Sequence, residues 1–553
     1  MSEEAFLRLP GTSEYAPGWN RTVVSRRVAI VLSVLFCAGL LAVPITDLLS
    51  GSWQAPWRAA TSAWHNVRQT LGKSGDSWFR RTLDANGAAL AGMENFETSL
   101  EDSSHSVAVV RPATLDFLLR FGAAGSEEAY VGRDGWLFYR PDVDPLWMSR
   151  NTPSEAAASL AQFAAELAAR RILLVFVAVP GKATIHPEKI GPGEFTRPVL
   201  PAGWENFSEE VARAWEKVAP PDAPAPLVVD ATGLLWQRKQ STGQEEFLQT
   251  DSHWTPDAMA AVAKEVARAV RGTDALPGST GNFPSEEIAG IGDTARMLEL
   301  PEGSVFLRPQ SVKVARLPGW SPSASAEVLL LGDSYSNIYS AEDLGWGTEA
   351  GLAEQLSRLL GAPVDRLSRN DAGAFEARQM LASAWAKEGA RFEPKKVVVW
   401  QLAMRELLAG DWSHVPLPAG PTPAATTEET GFFVTPAGRS VEVIGTIRAL
   451  GAMPRLGETP YADFLTAVRL GNLRDAVSGN RLDGEALAYV FTMRDRRLLP
   501  AADLVAGQEV RALLLNYGEN AGRLEQLNRS ELDDVELMLQ EPNFAEWISP
   551  SRP

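Results

Sequence analysis

Short apolar runs alternate with helical segments across residues 131–415. The runs have the length of buried parallel strands, and they are Ile172–Pro180, Pro226–Thr232, Glu327–Ser336 and Lys395–Ala403. The segments between them have helical composition, often with a capping residue or an early proline, and they are Ser154–Arg171, Thr255–Val270 and Gly351–Gly361. This alternation predicts an α/β domain with a mostly parallel sheet flanked by helices on both faces.

The pattern changes after this domain. A stretch rich in proline, threonine and alanine predicts a linker over 416–435. Short alternating strands then predict a small all-β, OB-like barrel over 436–520. Such barrels can bind sugars or oligonucleotides, and a stabilising or protein-docking role is an equal alternative. We expect residues 521–553 to form an acidic helical tail.

The N-terminal region contains a candidate membrane anchor. Val28 to Ile45 is 18 residues without a charge, Arg21, Arg26 and Arg27 precede it, and Asp47 follows. The positive charges predict a cytoplasmic N-terminus and an external remainder, so 1–50 is interpreted as tail plus transmembrane anchor. A cleaved signal peptide is the rival interpretation, although no convincing cleavage site follows the apolar run. Residues 51–130 are expected to form a helical stalk.

Composition narrows the class of function. The chain has 553 residues, a net charge of −17 and no long basic run, which argues against nucleic-acid binding. Its one cysteine, Cys37, permits no intrachain disulfide. No metal site is predicted, because four of the five histidines lack ligand spacing to one another: His65, His105, His186 and His414.

Two short stretches contain residues that could carry chemistry. In "LLLGDSYS" (Leu329–Ser336), Gly332 permits a sharp turn off the strand, and Ser334 would expose its hydroxyl at the sheet edge. A serine nucleophile needs an oriented histidine. In "TDSHWT" (Thr250–Thr255), Asp251 and His253 would point to one side of an extended segment, which leaves Nε2 free for Ser334.

Each stretch also has a structural interpretation. Gly-Asp-Ser occurs in ordinary turns and caps. "TDSHWTPDA" can be a helix start, with Asp251 or Ser252 as the cap and His253 merely packed. The catalytic interpretation gains weight when the two stretches are taken together.

Five ordered stretches resemble the alginate O-acetyltransferase AlgJ/AlgX family of SGNH hydrolase-like acetyltransferases. Across roughly residues 130–412 they are "GRDGWLFY" (Gly132–Tyr139), "VPGKATIHPE" (Val179–Glu188), "TDSHWT", "LLLGDSYS" and "VVVWQLAMREL" (Val397–Leu407). The family has a permuted order, with the Asp-x-His pair before the serine, and here Ser334 lies 81 residues after His253. The resemblance implies an SGNH-like domain with Ser334 as nucleophile, His253 as base and Asp251 as the residue that orients it.

The remaining site residues are less determined. Gly373 in "RNDAGA" (Arg369–Ala374) is a candidate backbone donor to an oxyanion. Where an SGNH enzyme usually supplies an asparagine, this chain has Arg405, which could instead be structural and paired with a carboxylate. Tyr335 could line the site or pack. A sugar platform of Trp346, Trp400 and Trp412 is possible, although most such tryptophans are core.

The resemblance implies a single-pass inner-membrane protein with a periplasmic O-acetyltransferase domain. It further implies an acetyl-serine intermediate, an exopolysaccharide acceptor such as alginate, and a multi-pass membrane acyltransferase (MBOAT-type) that exports the acetyl group. Cytoplasmic acetyl-CoA cannot be the direct donor in that topology, and no cofactor is expected. The alternatives are a polysaccharide acetyl-esterase using the same triad and a non-catalytic polysaccharide-binding scaffold.

Overall fold

The computed structural model describes residues 26–72, 77–122, 125–148, 153–273, 276–277, 283–418, 431–454, 459, 461–532, 537 and 540–550. It divides into two compact units, Met1–Arg111 and Pro112–Pro553. The boundary lies within the fourth helix, α4 (His105–Arg120).

The first unit is helical. It contains α1 (Arg26–Ser50), α2 (Gln54–Leu71) and α3 (Trp78–Ser103). In the part of the chain that is described, α1 alone is long and apolar enough to cross a membrane. Helices α2 and α3 approach closely at Gly92, where an added Cβ would lie 2.3 Å from the Cβ of Ala63. Of the helical stalk predicted for residues 51–130, the last helix therefore ends at Arg120.

A five-stranded parallel sheet forms the centre of the second unit. Its order is β4 (Leu227–Val229), β3 (Leu173–Val179), β9 (Val397–Ala403), β7 (Val328–Gly332) and β8 (Val364–Ser368). All four neighbouring pairs are parallel. The predicted parallel α/β sheet is confirmed.

Alternation along each strand builds two hydrophobic layers. Val175, Val177 and Val179 of β3 face one cluster, and Leu174 and Phe176 face the other. Helices on both faces contribute to these clusters. The helices of this domain, including the short ones, are α5 (Arg140–Met148), α6 (Ser154–Ala168), α7 (Lys182–Ile185), α8 (Pro187–Ile190), α9 (Phe207–Val218), α10 (Ala231–Thr242), α11 (Pro256–Arg271), α12 (Asp293–Met297), α13 (Ser334–Asn337), α14 (Leu352–Leu360), α15 (Ala374–Lys387), α16 (Gly389–Phe392) and α17 (Glu406–Ala409).

Two antiparallel strand pairs accompany the sheet. Strands β1 (Ala129–Val131) and β2 (Leu137–Tyr139) pair across a turn in which Asp134 and Gly135 have φ angles of 56° and 79°. Strands β5 (Ser285–Gly290) and β6 (Gln310–Ala315) form the second pair, with α12 between them in the chain.

The C-terminal strands close into a five-stranded barrel. Strands β10 (Ser440–Leu450), β11 (Phe464–Asp475) and β12 (Ala486–Arg494) form a meander, and β14 (Glu509–Asn516) pairs with β10. Strand β16 (Asn543–Pro550) closes the barrel by pairing with β12 in parallel and with β14 antiparallel. The short strands β13 (Arg497–Leu498) and β15 (Arg529–Ser530) extend the sheet. This arrangement fits the OB-like prediction in outline.

The helical tail predicted for residues 521–553 is wrong for the described part of that segment. Only α18 (Ala521–Leu524) is a regular helix of more than one residue there, and β16 is an integral barrel strand. Its sequence "NFAEWISP" does not alternate strictly between apolar and polar positions, because the pairing with β14 is irregular between Leu513 and Leu514, and Phe544, Ala545 and Ile548 are buried. The period-two signal of a strand is therefore missing here, and the residues that precede the strand are acidic.

Candidate active site

Ser334 lies at the carboxyl end of β7, where a parallel sheet presents its ligand-binding edge. It is the first residue of α13, and the Asp333 carboxylate caps the helix by accepting from the Tyr335 N–H at 2.8 Å. The same carboxylate accepts from Gln401 Nε2 at 2.8 Å and from the Ala403 N–H at 2.9 Å. Asp333 therefore ties β7 to β9 and fixes the turn that presents Ser334.

His253 lies directly against this serine. Its Nε2 is 2.9 Å from Ser334 Oγ, and both side chains are almost fully buried. His253 lies in a tight loop in which the Leu248 N–H donates to the His253 carbonyl at 3.0 Å and the Thr255 N–H donates to the Glu246 carbonyl at 2.9 Å. The structure thus brings together the histidine and serine of two distant motifs.

Asp251 holds the other side of the imidazole. Its Oδ1 lies 2.7 Å from His253 Nδ1 and also accepts the His253 backbone N–H at 3.0 Å. That backbone bond is an Asx turn, so the two side chains meet through a turn and not along an extended segment. Thr255 caps α11 by accepting from the Ala258 N–H at 3.3 Å, which is the role that the helix-start interpretation gave to Asp251 or Ser252.

Two further groups complete the surroundings of Asp251. Its Oδ2 accepts from Trp346 Nε1 at 2.8 Å and from the Asp293 backbone N–H at 2.9 Å. Burial opposes the charge on this carboxylate, but these bonds and the one to His253 hold its pKa well below the usual value. Asp251 therefore stays ionised and keeps a proton on His253 Nδ1.

The protonation of His253 is set by competing effects. Burial lowers the pKa of an imidazole, whereas the hydrogen bond and charge of Asp251, with the charges of Asp293 and Asp333, raise it. The net direction is a raised pKa for His253. A histidine with Nδ1 held by a carboxylate and Nε2 aimed at a hydroxyl is arranged to accept that hydroxyl's proton.

Asp293, at the start of α12, is a second buried carboxylate behind the histidine. It accepts from the Ser252 N–H at 2.7 Å and from Ser252 Oγ at 2.5 Å, and its Oδ2 is 3.5 Å from His253 Nδ1. Burial and the nearby charge of Asp251 raise the pKa of Asp293. Asp251, His253 and Asp293 have ligand-type atoms within 4.8 Å of one another. Hydrogen bonds among them and to the backbone already engage these atoms, so we assign the cluster to orientation of His253.

Tyr335 packs beneath the imidazole. Its ring centroid is 4.7 Å from that of His253, and its hydroxyl donates to the Ser252 carbonyl at 3.1 Å. Trp254 packs edge-on against Tyr335 and donates from Nε1 to the Tyr335 carbonyl at 3.1 Å. Of the two roles considered for Tyr335, these contacts correspond to packing.

Arg405 is largely buried, with 17% of its side chain exposed, and pairs with a carboxylate. Its Nη1 is 2.8 Å from Asp142 Oδ1, and its guanidinium lies 5.6 Å from the centroid of the Tyr139 ring. Burial would lower the pKa of Arg405, but Asp142 and the neighbouring groups raise it well above the ordinary value. This is the structural pairing that the sequence left open, and it places a permanent charge near Ser334, since the same guanidinium acts on Asp333.

Gly373 precedes α15 on the loop that follows β8. An added Cβ there would lie 2.8 Å from carboxylate oxygens of Glu376 and Glu406, so the backbone passes close to both. Its role as an oxyanion donor stays a prediction. The nearby Asn370 Nδ2 bonds Asp343 Oδ2 at 3.0 Å, which fixes this loop.

The tryptophans do not form a sugar platform. Trp346 and Trp400 are fully buried and Trp412 is 6% exposed, so all three are core. The other two histidines of the second unit do not join the site. His186 is buried, with Nε2 accepting from the Glu246 N–H at 3.1 Å, and the exposed His414 bonds Glu166 at 2.6 Å.

The sequence did not predict two residues that bind Asp251, and both lie far from it in the chain. Asp293 and Trp346 reach Asp251 from separate parts of the chain, 42 and 95 residues away. Neither lies in a recognisable motif. A faint signal exists at "IGDT", where Gly292 is required because an added Cβ would lie 2.1 Å from the Thr250 carbonyl oxygen.

Comparison with known proteins places this site in context. Residues 129–404 match the family model described as the SGNH hydrolase-like domain of the acetyltransferase AlgX. The probable alginate O-acetylase AlgJ of Pseudomonas aeruginosa is 29% identical over 323 residues, covering 55% of this chain and 76% of that protein. The probable alginate O-acetylase AlgJ of Azotobacter vinelandii is 25% identical over 315 residues, covering 53% and 73%.

Solved structures with a detectable likeness include two Pseudomonas proteins. The O-acetyltransferase domain of Pseudomonas putida AlgJ is 22% identical, with a TM-score of 0.36 over 51% of this chain and 92% of that one. Pseudomonas aeruginosa AlgX is 15% identical, with a TM-score of 0.34 over 67% and 83%.

Proposed function

We propose that this chain, which belongs to the AlgJ/AlgX family of SGNH hydrolase-like acetyltransferases, transfers acetyl groups onto hydroxyls of an exopolysaccharide such as alginate. One observation carries the proposal: Asp251, His253 and Ser334 form a continuous hydrogen-bonded series, with separations of 2.7 and 2.9 Å. The names of the curated relatives support the acceptor class, since both are probable alginate O-acetylases.

The first half-reaction acetylates the serine. Ser334 Oγ attacks the carbonyl carbon of an acetyl ester or thioester, and its proton passes to His253 Nε2. The carbonyl electron pair moves onto oxygen and forms a tetrahedral oxyanion. When that intermediate collapses, the donor's alcohol or thiol leaves with the proton from His253, and acetyl-Ser334 remains.

The second half-reaction repeats these steps with a sugar hydroxyl as nucleophile. His253 takes the proton of the sugar hydroxyl as its oxygen attacks the acetyl carbon. Collapse of the second intermediate breaks the bond to Ser334 Oγ, which recovers its proton from His253. The imidazolium formed in each half is stabilised by the ionised Asp251 on Nδ1.

Backbone donors would stabilise each oxyanion. The Ser334 N–H has no partner inside its own helix, as is general for the first residue of a helix. Gly373 is our candidate for a second N–H. Arg405 would contribute a fixed positive field, although Asp142 holds its guanidinium at 2.8 Å.

The N-terminal helix supports a membrane location. Helix α1 has the length and composition of a single span, with Arg27 at its start. We propose that it anchors the chain in the inner membrane with the catalytic domain in the periplasm. The acetyl group would then be delivered by a multi-pass MBOAT-type acyltransferase.

Replacement of Ser334 by alanine tests this function. The purified full chain is incubated with an aryl acetyl ester and an oligosaccharide acceptor, and acetylated sugar and free acetate are both quantified. We expect Ser334→Ala to form no acetylated sugar. The matched control is Ser340→Ala, whose hydroxyl bonds Glu354 at 2.8 Å and does not face His253.

The products distinguish the alternatives. Free acetate as the only product of the wild-type chain, with acceptor present, would replace transfer by hydrolysis and make the chain an esterase. Equal activity of Ser334→Ala and wild type would contradict both enzymatic functions and leave a polysaccharide-binding scaffold.

A further inference from the structure

A buried lysine lies next to the loop that carries Asp251 and His253. Lys182 is the first residue of α7, shortly after β3, and is 1% exposed. Within the described part of the chain, its Nζ bonds two backbone carbonyls and no carboxylate. An ammonium in that position gives up its hydration without gaining an ion pair, which costs free energy. Neither half-reaction of the proposed mechanism uses this charge.

The ammonium of Lys182 joins two segments of the backbone. Its Nζ donates to the Leu137 carbonyl of β2 at 2.6 Å and to the Gln249 carbonyl at 3.2 Å. The Leu137 N–H donates to the same Gln249 carbonyl at 3.0 Å. The ring centroids of Trp136 and Phe138 lie 5.6 and 5.5 Å from Nζ. Lys182 therefore ties β2 to the first residue of the catalytic loop, which we define as residues 249–255.

The backbone that carries Lys182 is itself firmly held. All four residues of α7 are buried. Ala183 and Ile185 belong to the hydrophobic cluster that also contains Trp254 of the catalytic loop. The lysine side chain is thus fixed at its base by packing and at its tip by two hydrogen bonds, which suits it to hold a neighbouring loop in one position.

A second set of bonds holds the next residue of the catalytic loop. The Ala295 N–H donates to the Thr250 carbonyl at 3.1 Å, and the Gly292 N–H donates to Thr250 Oγ1 at 3.3 Å. Only the bonds to residue 249 come from β2 and α7. The imidazole of His253 must keep its contacts of 2.7 and 2.9 Å at the same time, so a small displacement of the loop weakens at least one of them.

The charge of Lys182 also acts on the carboxylates behind the imidazole. Burial lowers the pKa of Lys182 to about 8, and the charges of Asp251 and Asp293 oppose that decrease. The side chain is therefore mostly protonated at neutral pH. Because Coulomb interactions are reciprocal, the ammonium favours the ionised form of Asp251, which the mechanism requires.

We propose that Lys182 is a positioning residue of the acetyltransferase site, which holds residues 249–255 so that Asp251 and His253 face Ser334. This inference rests on the proposed function. Lys182 acts through the Gln249 carbonyl and not on the substrate. The proposal also gives a role to the stretch "VPGKATIHPE", which the catalytic steps leave without one.

Removal of the ammonium tests the proposal. In the full-length chain, Lys182→Met keeps the length of the side chain and removes its charge and its donors. We expect kcat for an aryl acetyl ester to fall by about 10²-fold with little change in KM, because a displaced imidazole slows proton transfer and leaves ester binding intact. The rate constant for reaction of Ser334 with a fluorophosphonate should fall by a similar factor.

A second buried lysine provides the matched control. Lys395 is 4% exposed and donates to the Ala324 and Ala326 carbonyls at 2.6 and 2.9 Å. It also pairs with Asp365, and it lies at the amino ends of the strands, away from Ser334. Lys395→Met should keep the kcat of the wild type. Rates are expressed per Ser334 that the fluorophosphonate labels to completion, so unfolded protein does not count as lost activity.

The outcomes are separable. If Lys182→Met keeps the kcat of Lys395→Met while Ser334→Ala is inactive, the proposal for Lys182 is overturned and the proposed function stands. A change in KM alone overturns it as well. If Ser334→Ala keeps its activity, both proposals are overturned.

Glutamine replaces methionine at both positions if Lys182→Met does not fold. Glutamine is uncharged and one atom shorter than lysine. A kcat for Lys182→Gln that is about tenfold or more below that of Lys395→Gln supports the proposal, and equal values overturn it.

Discussion

Two buried histidines of this chain each lie two residues from a carboxylate, yet their surroundings give them opposite properties. His253 follows Asp251, and His186 precedes Glu188. Both imidazoles are 2% exposed. The separation between Nδ1 and the nearest carboxylate oxygen is 2.7 Å for His253 and 3.4 Å for His186. The pKa of His253 is raised, whereas burial lowers that of His186 to about 4.

The pKa values of the two histidines differ because their partner carboxylates differ in burial and in their other contacts. The Asp251 side chain is 1% exposed and is directed at the imidazole by Trp346 and the Asp293 N–H. The Glu188 side chain is 34% exposed and also binds Lys239 Nζ at 2.7 Å, so much of its charge is neutralised elsewhere. Because both pairs have the same spacing, spacing alone does not identify a catalytic histidine. What distinguishes the two imidazoles is the burial of the carboxylate and its distance from Nδ1.

The largest expected contrast comes from alanine at each histidine. His253→Ala should lower kcat by about 10⁶-fold with the fold retained, because no other group accepts the Ser334 proton. His186→Ala should keep kcat but lower the free energy of unfolding by about 2 kcal/mol or more, since the Glu246 N–H loses its acceptor and a cavity forms beside Trp136. Steady-state kinetics and chemical denaturation of both variants measure the contrast, and a large loss of kcat in His186→Ala would break it.

Substitution of Asp251 and of Glu188 should show the same contrast, with a smaller effect on kcat. Asp251→Asn should lower kcat by about 10⁴-fold, because an amide cannot hold the Nδ1–H tautomer or stabilise the imidazolium. Glu188→Gln should leave kcat unchanged and cost at most about 1 kcal/mol of stability, as for an exposed ion pair. Kinetics of the two variants at one pH decide the matter. An Asp251→Asn enzyme within tenfold of wild type would contradict the orienting role.

Stability should depend on pH through His186. Its folded-state pKa of about 4 lies below the ordinary 6.5, so the unfolded chain binds more protons at acidic pH. The unfolding free energy should therefore fall as pH drops from about 6.5 to 4, by about 3 kcal/mol from this group. His253 has the opposite sign, because its raised pKa makes its contribution decrease as pH increases through that value. Denaturation of wild type and His186→Ala at several pH values isolates the His186 part, and identical slopes would contradict it.

The smallest expected effect concerns the pH at which kcat/KM falls on the acid side of its profile. His253 must be neutral to accept the Ser334 proton, and its pKa is raised. The acid limb of kcat/KM should therefore lie above pH 6.5, and His186 should contribute nothing to it. A pH profile in wild type and His186→Ala measures this, and an acid limb at or below pH 6 would show that Asp251 does not raise the pKa of His253.

Sequence reasoning found what short motifs encode. The apolar runs predicted the parallel sheet, and two motifs contained Asp251, His253 and Ser334. In the structure His253 lies 2.7 Å from Asp251 and 2.9 Å from Ser334. The prediction of an extended Asp251–His253 segment was wrong, because an Asx turn joins them. Local spacing cannot distinguish these geometries, since both bring residues i and i+2 to one side.

The contacts that the sequence did not predict join residues that are far apart in the chain. Trp346 and Asp293 reach Asp251 from distant segments and lie in no local sequence pattern. The pairing of Arg405 with Asp142 joins residues 263 positions apart. Strand β16 was missed because it pairs with strands far upstream, while its acidic flank indicated a helix. Such contacts depend on topology, which composition and periodicity do not specify.

The covalent intermediate provides the most direct test of the central claim. The full-length chain is mixed with an aryl acetyl ester without acceptor, quenched in acid, digested, and the peptide containing Ser334 is weighed by mass spectrometry. We predict one acetyl group on Ser334, which is lost when an alginate oligosaccharide is added before the quench, with acetylated sugar formed in equal amount. Acetylated sugar formed without any acetyl group on Ser334, including in the His253→Ala variant, would contradict the account.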